Sequence, residues 1–469
     1  MKKKIITLIL LILIVFIPFN VYTESNIENE KQVNLSFEYI KEEQKNLDNV
    51  PNIGCKAVYI ADPNTGKVIY EKNAHEKMYP ASTTKILTAL VTLENCKLTD
   101  TAIVSKNAVD LVPWDYSNAG LKPGEEHTIE TLLYALLLPS ANEAANVLAE
   151  HISGSIEEFA LLCNKRAKEL GCETLNFVNP NGMHDENHYA SAYDLYLIAK
   201  ECRKYEEFNE IVKTKSFTVP ATSVYPKNRT FRNRNDMLFS GSYYYEYCTG
   251  IKTGHTNAAG ECFVGSSSYN GLDLISVVLG GKEKNSLGLN ERFYDTKKLY
   301  EFTYNNYSIK KIAEYKDVVA KIEVGNATKD TAFLDVIVDT DISTVVPNDL
   351  NKEDIKSKVL INDDISAPIK ENEVLGNITY YADGLIYKTN IIASHNVEKL
   401  PYGIYNIIIF VSSIVIFAIF FIILKIARGH RRGVLVIELT ILVIICMIVF
   451  PMIRNDLDSL TTKITIINE

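Results

Sequence analysis

The sequence predicts an α/β (α+β) unit built on an antiparallel sheet with a helical subdomain, followed by a small all-β domain and two C-terminal transmembrane helices. Three observations carry that reading. Strand-like alternation flanks a helix-rich middle between Ala57 and Asn305, only short strand signals follow as far as Val397, and two long apolar runs come next. The 469 residues accommodate two or three domains, and 47% hydrophobic with 23% charged residues exclude a wholly disordered or collagen-like chain.

Residues 1–23 open with Lys2, Lys3 and Lys4 and run apolar from Ile5 to Phe19, the pattern of an export signal. No strong small-residue cleavage site follows Phe19, so the segment reads as a signal peptide or an N-terminal anchor. Residues 24–50 are polar and acidic and read as a linker, either a tether or a short helix. The first folded unit, 51–307, starts with a strand from Ala57, turns at Asp62-Pro63-Asn64-Thr65-Gly66 and resumes at Val68. A helical stretch spans about Lys85 to Lys204, with Ser191 and Asp194 capping one of its helices. Strands return at Cys262–Ser267 and Leu272–Leu279, joined by the favoured hairpin pair Asn270-Gly271, and a helix over Asn290–Asn305 closes the unit.

Residues 308–397 carry strand signals at Val318–Val324, Phe333–Val338, Val359–Ile361, Ile378–Tyr381 and Tyr387–Ile392, with a spacer or docking role expected. Ile404–Ile426 has no charge before Lys425, and Gly433–Ile453 carries only Glu438, so each is long enough to span a bilayer. Between them lie Lys425, Arg428, Arg431 and Arg432, and a short basic loop stays on the cytoplasmic side. Residues 24 to about 400 are then expected outside the cell membrane, and 454–469 emerge as an external tail. Glu438 sits close enough to that loop to pair with Arg431 or Arg432.

The net charge of −9 sharpens once it is divided. The membrane-directed ends are basic, leaving the external body at about −14, which offers no face for nucleic acid. Of eight cysteines, Cys446 lies in a span, and no Cys/His spacing suggests a zinc site. His184 and His188 are four apart, but no glutamate directly follows the first and the context is a loop, so no metal or cofactor is expected.

Three short patterns carry chemistry. In Ser82-Thr83-Thr84-Lys85, at the start of an apolar helix, the three-residue step returns Lys85 to the face of Ser82, and the helix N-terminus favours a developing oxyanion. Ser308-Ile309-Lys310-Lys311 repeats the spacing without a helix. Ser140-Ala141-Asn142, between two helices, presents a hydroxyl and an amide that can relay a proton and hold a substrate amide. On a strand edge Lys252-Thr253-Gly254 would offer a charge and a donor to a carboxylate, Gly254 permitting close backbone approach. The serine of the second pattern lies 58 residues after the first, and Lys252 lies 112 further on.

That ordered set is the signature of penicillin-binding proteins and β-lactamases. With Tyr79 to Lys85, Asn179 to Tyr189, Gly250 to Thr256 and Ala259-Gly260, residues 51–395 resemble the serine D-alanyl-D-alanine carboxypeptidases, the low-molecular-mass penicillin-binding proteins. Ala367-Pro368-Ile369 through Gly376 and Tyr380-Tyr381 resemble that family's C-terminal β-domain. The resemblance implies a penicillin-binding/β-lactamase-like transpeptidase fold in which Ser82 is the nucleophile, Lys85 the base and Ser140 the proton relay. Burial and the neighbouring Lys252 would lower the Lys85 pKa.

It further implies that Asn142 holds the substrate peptide, that Lys252, Thr253 and Arg292 recognise its terminal carboxylate, and that the amides of Ser82 and His255 form the oxyanion hole. The partners implied are peptidoglycan stem peptides, with β-lactam antibiotics as inhibitors. Two departures stand out: Ala141 replaces the commoner Gly, and two spans replace one amphipathic C-terminal helix. A β-lactamase and a non-enzymatic membrane β-lactam sensor are the alternatives. The first fits the β-domain and spans poorly, and the second lacks a cytoplasmic effector.

Overall fold

The computed structural model describes residues 50–401, scattered helical positions between 411 and 425, and residues 462–467. The export segment, the linker before Val50 and the apolar run 433–453 lie outside the described residues, as does most of the run 404–426. Among the described residues no helix is long and apolar enough to cross a membrane.

Strands β1 (Ala57–Ala61) and β2 (Val68–Lys72) pair through the turn read from Asp62 to Gly66. The Asp62 carboxylate fixes that turn by accepting from the amides of Asn64 and Thr65. A 3₁₀ turn over Ala81–Thr84 leads into α1 (Lys85–Asn95), whose residues Lys85 to Thr92 are all buried. The short α2 (Lys106–Asp110) lies between β3 (Thr101–Ile103) and β4 (Glu126–Thr128), which pair with each other. Then come α3 (Ile129–Leu137), α4 (Asn142–Ser153), α5 (Ile156–Glu169), α6 (Ala192–Cys202) and α7 (Glu206–Lys213). Ser191 and Asp194 form the expected capping box of α6, each side chain accepting from the other's amide at 3.0 Å.

The small pair β5 (Ser216–Val219) and β6 (Arg229–Arg232) precedes β7 (Cys248–Thr256), β8 (Gly260–Tyr269) and β9 (Leu272–Gly281). Asn270 and Gly271 both have positive φ, as a two-residue hairpin between β8 and β9 requires. The resulting antiparallel sheet has the order β2-β1-β9-β8-β7, so the strand bearing Lys252-Thr253-Gly254 is an edge. One face packs on the helical subdomain, with α6 laid across β9. The other is covered by α8 (Glu291–Asn306), through Phe293, Leu299 and Tyr300. Each such apolar side chain removed from water stabilises the unit by roughly 1.5–3 kcal/mol.

The all-β domain is confirmed, with more strands than the sequence suggested. It holds β10 (Tyr307–Ala313), β11 (Val318–Glu323), β12 (Phe333–Val338), β13 (Ile342–Pro347), β14 (Lys356–Ile361), β15 (Val374–Ala382) and β16 (Leu385–Ala393). A last strand, β17 (Lys463–Ile466), joins from the far end of the chain. β10 pairs with β13, and the other six form a sheet of order β14-β15-β16-β12-β11-β17. Ser308 and Lys311 lie on β10, where a three-residue step puts side chains on opposite faces, so this second serine–lysine spacing makes no site. The two domains are tied by buried Lys67, whose Nζ sits 2.6 Å from both the carbonyl oxygen and a carboxylate oxygen of Asp383.

Candidate active site

The site lies where α1, the start of α4 and edge strand β7 converge. Ala81, immediately before Ser82, adopts φ +49°, and Ser140 itself adopts φ +66°. Two non-glycine residues in the left-handed region mark backbone held in place by its surroundings, a feature that clusters at functional sites.

Lys85 is the first residue of α1 and is fully buried. Its Nζ lies 3.1 Å from Ser82 Oγ, 2.7 Å from Asn142 Oδ1 and 2.5 Å from the carbonyl oxygen of Asn181. An ammonium has three protons to donate, and these three acceptors match them. A neutral amine keeps two donations, to Asn142 and Asn181, and turns its lone pair toward the Ser82 hydroxyl. The two residues that the spacing puts on one face are thus within hydrogen-bond distance of each other.

Burial is the main force on the Lys85 ammonium and brings its pKa down from 10.5 to about 7. The Glu143 carboxylate opposes that shift, and Arg234 adds to it. The expected repulsion between Lys85 and Lys252 is seen at Lys252. That buried side chain is driven well below the usual lysine range, first by desolvation and then by the charges of Lys85, Arg234 and Arg292. Its Nζ is bonded to the Thr253 carbonyl at 2.9 Å.

Ser140 ends the turn after α3, and Asn142 begins α4. The Ser140 Oγ is buried and makes no hydrogen bond among the described residues. Buried hydroxyls are ordinarily paired, so an unspent one two residues before Asn142, whose side chain accepts from Lys85, is suited to act on a bound molecule. Glu143, next to Asn142, accepts from the amides of Ala119 and Leu121, and burial raises its pKa. It thereby ties the segment after α2 to this wall of the site.

The β7 edge approaches through glycine. A Cβ on Gly254 would lie 3.0 Å from the Pro80 carbonyl oxygen and 3.1 Å from the amide nitrogens of Ser82 and Thr83. The backbone of Lys252-Thr253-Gly254-His255 thus runs directly beside the nucleophile turn, and Thr253 is buried on the same strand. Arg292, the second residue of α8, is not on an open surface: its Nη1 donates to the Gly254 carbonyl at 3.0 Å and lies 2.5 Å from Glu261 Oε2.

Residue-by-residue reading missed three participants. Asn181 contributes through its carbonyl, and its side chain donates to Asn146 Oδ1 at 3.0 Å. The family-like segment Asn179 to Tyr189 was the signal that pointed to it. Neither Glu261 nor Arg234 stood in a recognisable pattern. His188, weighed as a zinc ligand, has both ring nitrogens engaged: Nδ1 accepts from the Val178 amide at 3.1 Å and Nε2 lies 2.8 Å from Thr84 Oγ1. Burial lowers its pKa to about 3 and keeps it neutral. It braces the turn that carries Ser82.

Comparison with known proteins agrees with this geometry. Residues 44–283 match a family model described as D-alanyl-D-alanine carboxypeptidase, and residues 307–399 match one described as penicillin-binding protein 5, C-terminal domain. The chain is 31% identical over 351 residues to D-alanyl-D-alanine carboxypeptidase DacF of Bacillus subtilis, covering 74% of this chain and 86% of the relative. It is 29% identical over 352 residues to DacA of Escherichia coli strain K12, covering 72% and 82% respectively. Among solved structures, penicillin binding protein 5 from Haemophilus influenzae superposes with a TM-score of 0.58 at 26% identity, over 75% of this chain and all of that one.

Proposed function

Because this chain belongs to the D-alanyl-D-alanine carboxypeptidase family, we propose that it releases the terminal D-alanine of peptidoglycan stem peptides through an ester on Ser82. It is a serine-type D-Ala-D-Ala carboxypeptidase, a hydrolase that also binds penicillin. The observation that carries the residue assignment is the placement of Lys85 Nζ between Ser82 Oγ, Asn142 Oδ1 and the Asn181 carbonyl in a fully buried position.

In the first half-reaction neutral Lys85 takes the Ser82 proton while Oγ attacks the penultimate D-Ala carbonyl. The oxyanion is assigned to the amides of Ser82 and His255, a reading supported by the close approach of Gly254, the neighbour of His255, to the Ser82 amide. The C–N bond then breaks, and Ser140 passes the proton from Lys85 to the departing D-alanine nitrogen. In the second half-reaction a water attacks the ester, gives up a proton along the same path, and the shortened peptide leaves Ser82 restored. Asn142 keeps Lys85 oriented and holds the peptide amide. Lys252, Thr253 and Gly254 receive the terminal carboxylate, with Arg292 bracing Gly254 from behind. A β-lactam acylates the same Oγ by opening its ring amide.

The chain is further proposed to be exported and membrane-anchored, with spans at 404–426 and 433–453 and the catalytic domain on the extracytoplasmic side. The basic loop between the runs supports that orientation. Release of D-alanine from a peptide ending in D-Ala-D-Ala, compared between wild type and Ser82→Ala, tests the assignment. Release by the Ser82→Ala protein at the wild-type rate would remove Ser82 as nucleophile.

A further inference from the structure

The β-domain grips the chain twice at one place. On the way out, the segment 398–400 lies along residues 326–328: the Thr328 amide donates to the Glu398 carbonyl at 2.9 Å, Ala327 bridges to Lys399, and the Leu400 amide donates to the Asn326 carbonyl at 2.8 Å. On the way back, Thr462 Oγ1 accepts from the amide of Gly325, the neighbour of Asn326, at 3.0 Å and donates to the Ile365 carbonyl. From there β17 runs antiparallel to β11 in the register Glu323↔Lys463 to Ala320↔Ile466. The Ile467 amide then donates to the Val319 carbonyl at 3.0 Å, and Lys463 Nζ lies 3.2 Å from Glu323 Oε2. Leu400 and Thr462, the ends that flank residues 401–461, are thus held by adjacent residues of a single segment.

We propose that β17 is a clasp: after the chain has entered and left the bilayer, the β-domain captures its returning end and is pinned with that pole against the lipid surface. The proposal rests on the two-span reading of 404–426 and 433–453. Both ends of an excursion that crosses twice emerge on the same side, which is what one shared anchoring point requires. The outgoing arm is short. From Leu400 to Ile404 the chain reaches at most about 14 Å even when fully extended. A single arm would let the ectodomain swivel, whereas a second arm built into the sheet fixes its tilt. The clasp also covers the β11 edge, which would otherwise expose a row of unpaired backbone groups.

The test uses the full-length protein in its membrane and the native Lys463–Glu323 ion pair. A zero-length carbodiimide should join these two side chains, giving one cross-linked peptide by mass spectrometry. Thr465 stands opposite Lys321, two residues from the bonded Ile467, so its amide faces β11, and Thr465→Pro deletes that bond. The variant should lose the cross-linked peptide while releasing D-alanine from a soluble peptide at the wild-type rate. Absence of the cross-link in active wild-type protein, or its persistence in Thr465→Pro, would overturn the clasp. Amide exchange in wild type gives a second reading free of any variant: protection at Thr465 and Ile467 supports the pairing, and exchange at the open-chain rate overturns it. Alkaline carbonate separates the two layers, because release of cross-linked protein from the membrane would sink the spans and leave the strand pairing standing.

Discussion

Arg292 Nη1 lies 2.5 Å from Glu261 Oε2, and the pair stands directly behind the backbone of Gly254. Both side chains are largely buried, and His255 Nε2 approaches the other carboxylate oxygen of Glu261 at 3.7 Å. Removing one partner of such a pair leaves an uncompensated buried charge, whereas removing both does not. Glu261→Gln should therefore destabilise the protein by about 3 kcal/mol, and Glu261→Gln with Arg292→Met should recover most of that loss. Denaturant midpoints of the two proteins check it. Kinetics should separate stability from positioning, since both proteins loosen the Gly254 edge and should show a higher KM for a peptide with a free terminal carboxylate. An unchanged KM in both would assign the pair to stability alone.

The pKa of about 7 at Lys85 fixes the direction of a pH profile. The base must be neutral, so acylation slows as pH falls and Lys85 takes up its proton. The second-order rate of acylation by a β-lactam should drop about tenfold per unit below that pKa and level off above it. Burial is the principal cause of the shift, so Lys85→Arg, which stays charged, should lose about 10² to 10⁴ in acylation rate at every pH. Stopped-flow measurement of penicillin acylation from pH 5 to 9 reads both effects.

The juxtaposition of Ser82 and Lys85 was legible in the sequence because it depends on residue type at fixed local spacing. Ser82 and Lys85 are one turn apart, and the helix that joins them was visible as Ile86 to Val91. What remained hidden acts through backbone or long-range pairing. The Asn181 carbonyl carries no side-chain signature, and its partner Lys85 is 96 positions away. Glu261 reads as any strand glutamate until α8 brings Arg292 over it. Strands β10 and β17 escaped for a related reason: the adjacent Lys310 and Lys311 interrupt the alternation of β10, and β17 has only four residues. The hairpin at Asn270-Gly271 was plain because its turn chemistry is local.

His188 should make the fold acid-sensitive. Its folded pKa, about 3, lies below the ordinary value of 6.5, so between these limits the unfolded chain binds the proton and the folded one does not. Stability is then fully present above about 6.5 and falls as pH drops through the window, by at most ~1.4 kcal/mol per unit. His188→Asn should be less stable at pH 7, having lost a bond to Thr84 or Val178, yet show a shallower decline toward pH 3. Equal slopes for the two proteins in urea unfolding series would rule His188 out as the source.

Gly182 is the most exacting backbone position beside the nucleophile. Its φ is +80°, and a Cβ there would sit 1.9 Å from the Ala81 carbonyl oxygen and 2.9 Å from Thr84 Oγ1. Neither neighbour can yield, because Ala81 already holds a left-handed φ and Thr84 is bonded to His188. Gly182→Ala should therefore displace the turn carrying Ser82 and cost about 10² or more in kcat/KM. Gly254→Ala meets contacts near 3 Å and should cost less. D-alanine release and β-lactam acylation, measured on protein of verified melting temperature, give the order wild type, Gly254→Ala, Gly182→Ala.

Ser140 offers the cleanest separation of stability from catalysis. Its buried Oγ bonds to nothing among the described residues, so deleting it removes no protein hydrogen bond and relieves an unsatisfied group. Ser140→Ala should melt within a degree or two of wild type, or slightly above it. If the hydroxyl carries the proton to the leaving amine, kcat for D-alanine release should still fall by about 10² to 10⁴. Acylation by an activated thioester, whose leaving group needs no proton, should be nearly unaffected. A Ser140→Ala protein that loses thioester and peptide turnover equally would show that the hydroxyl shapes the site instead of relaying the proton.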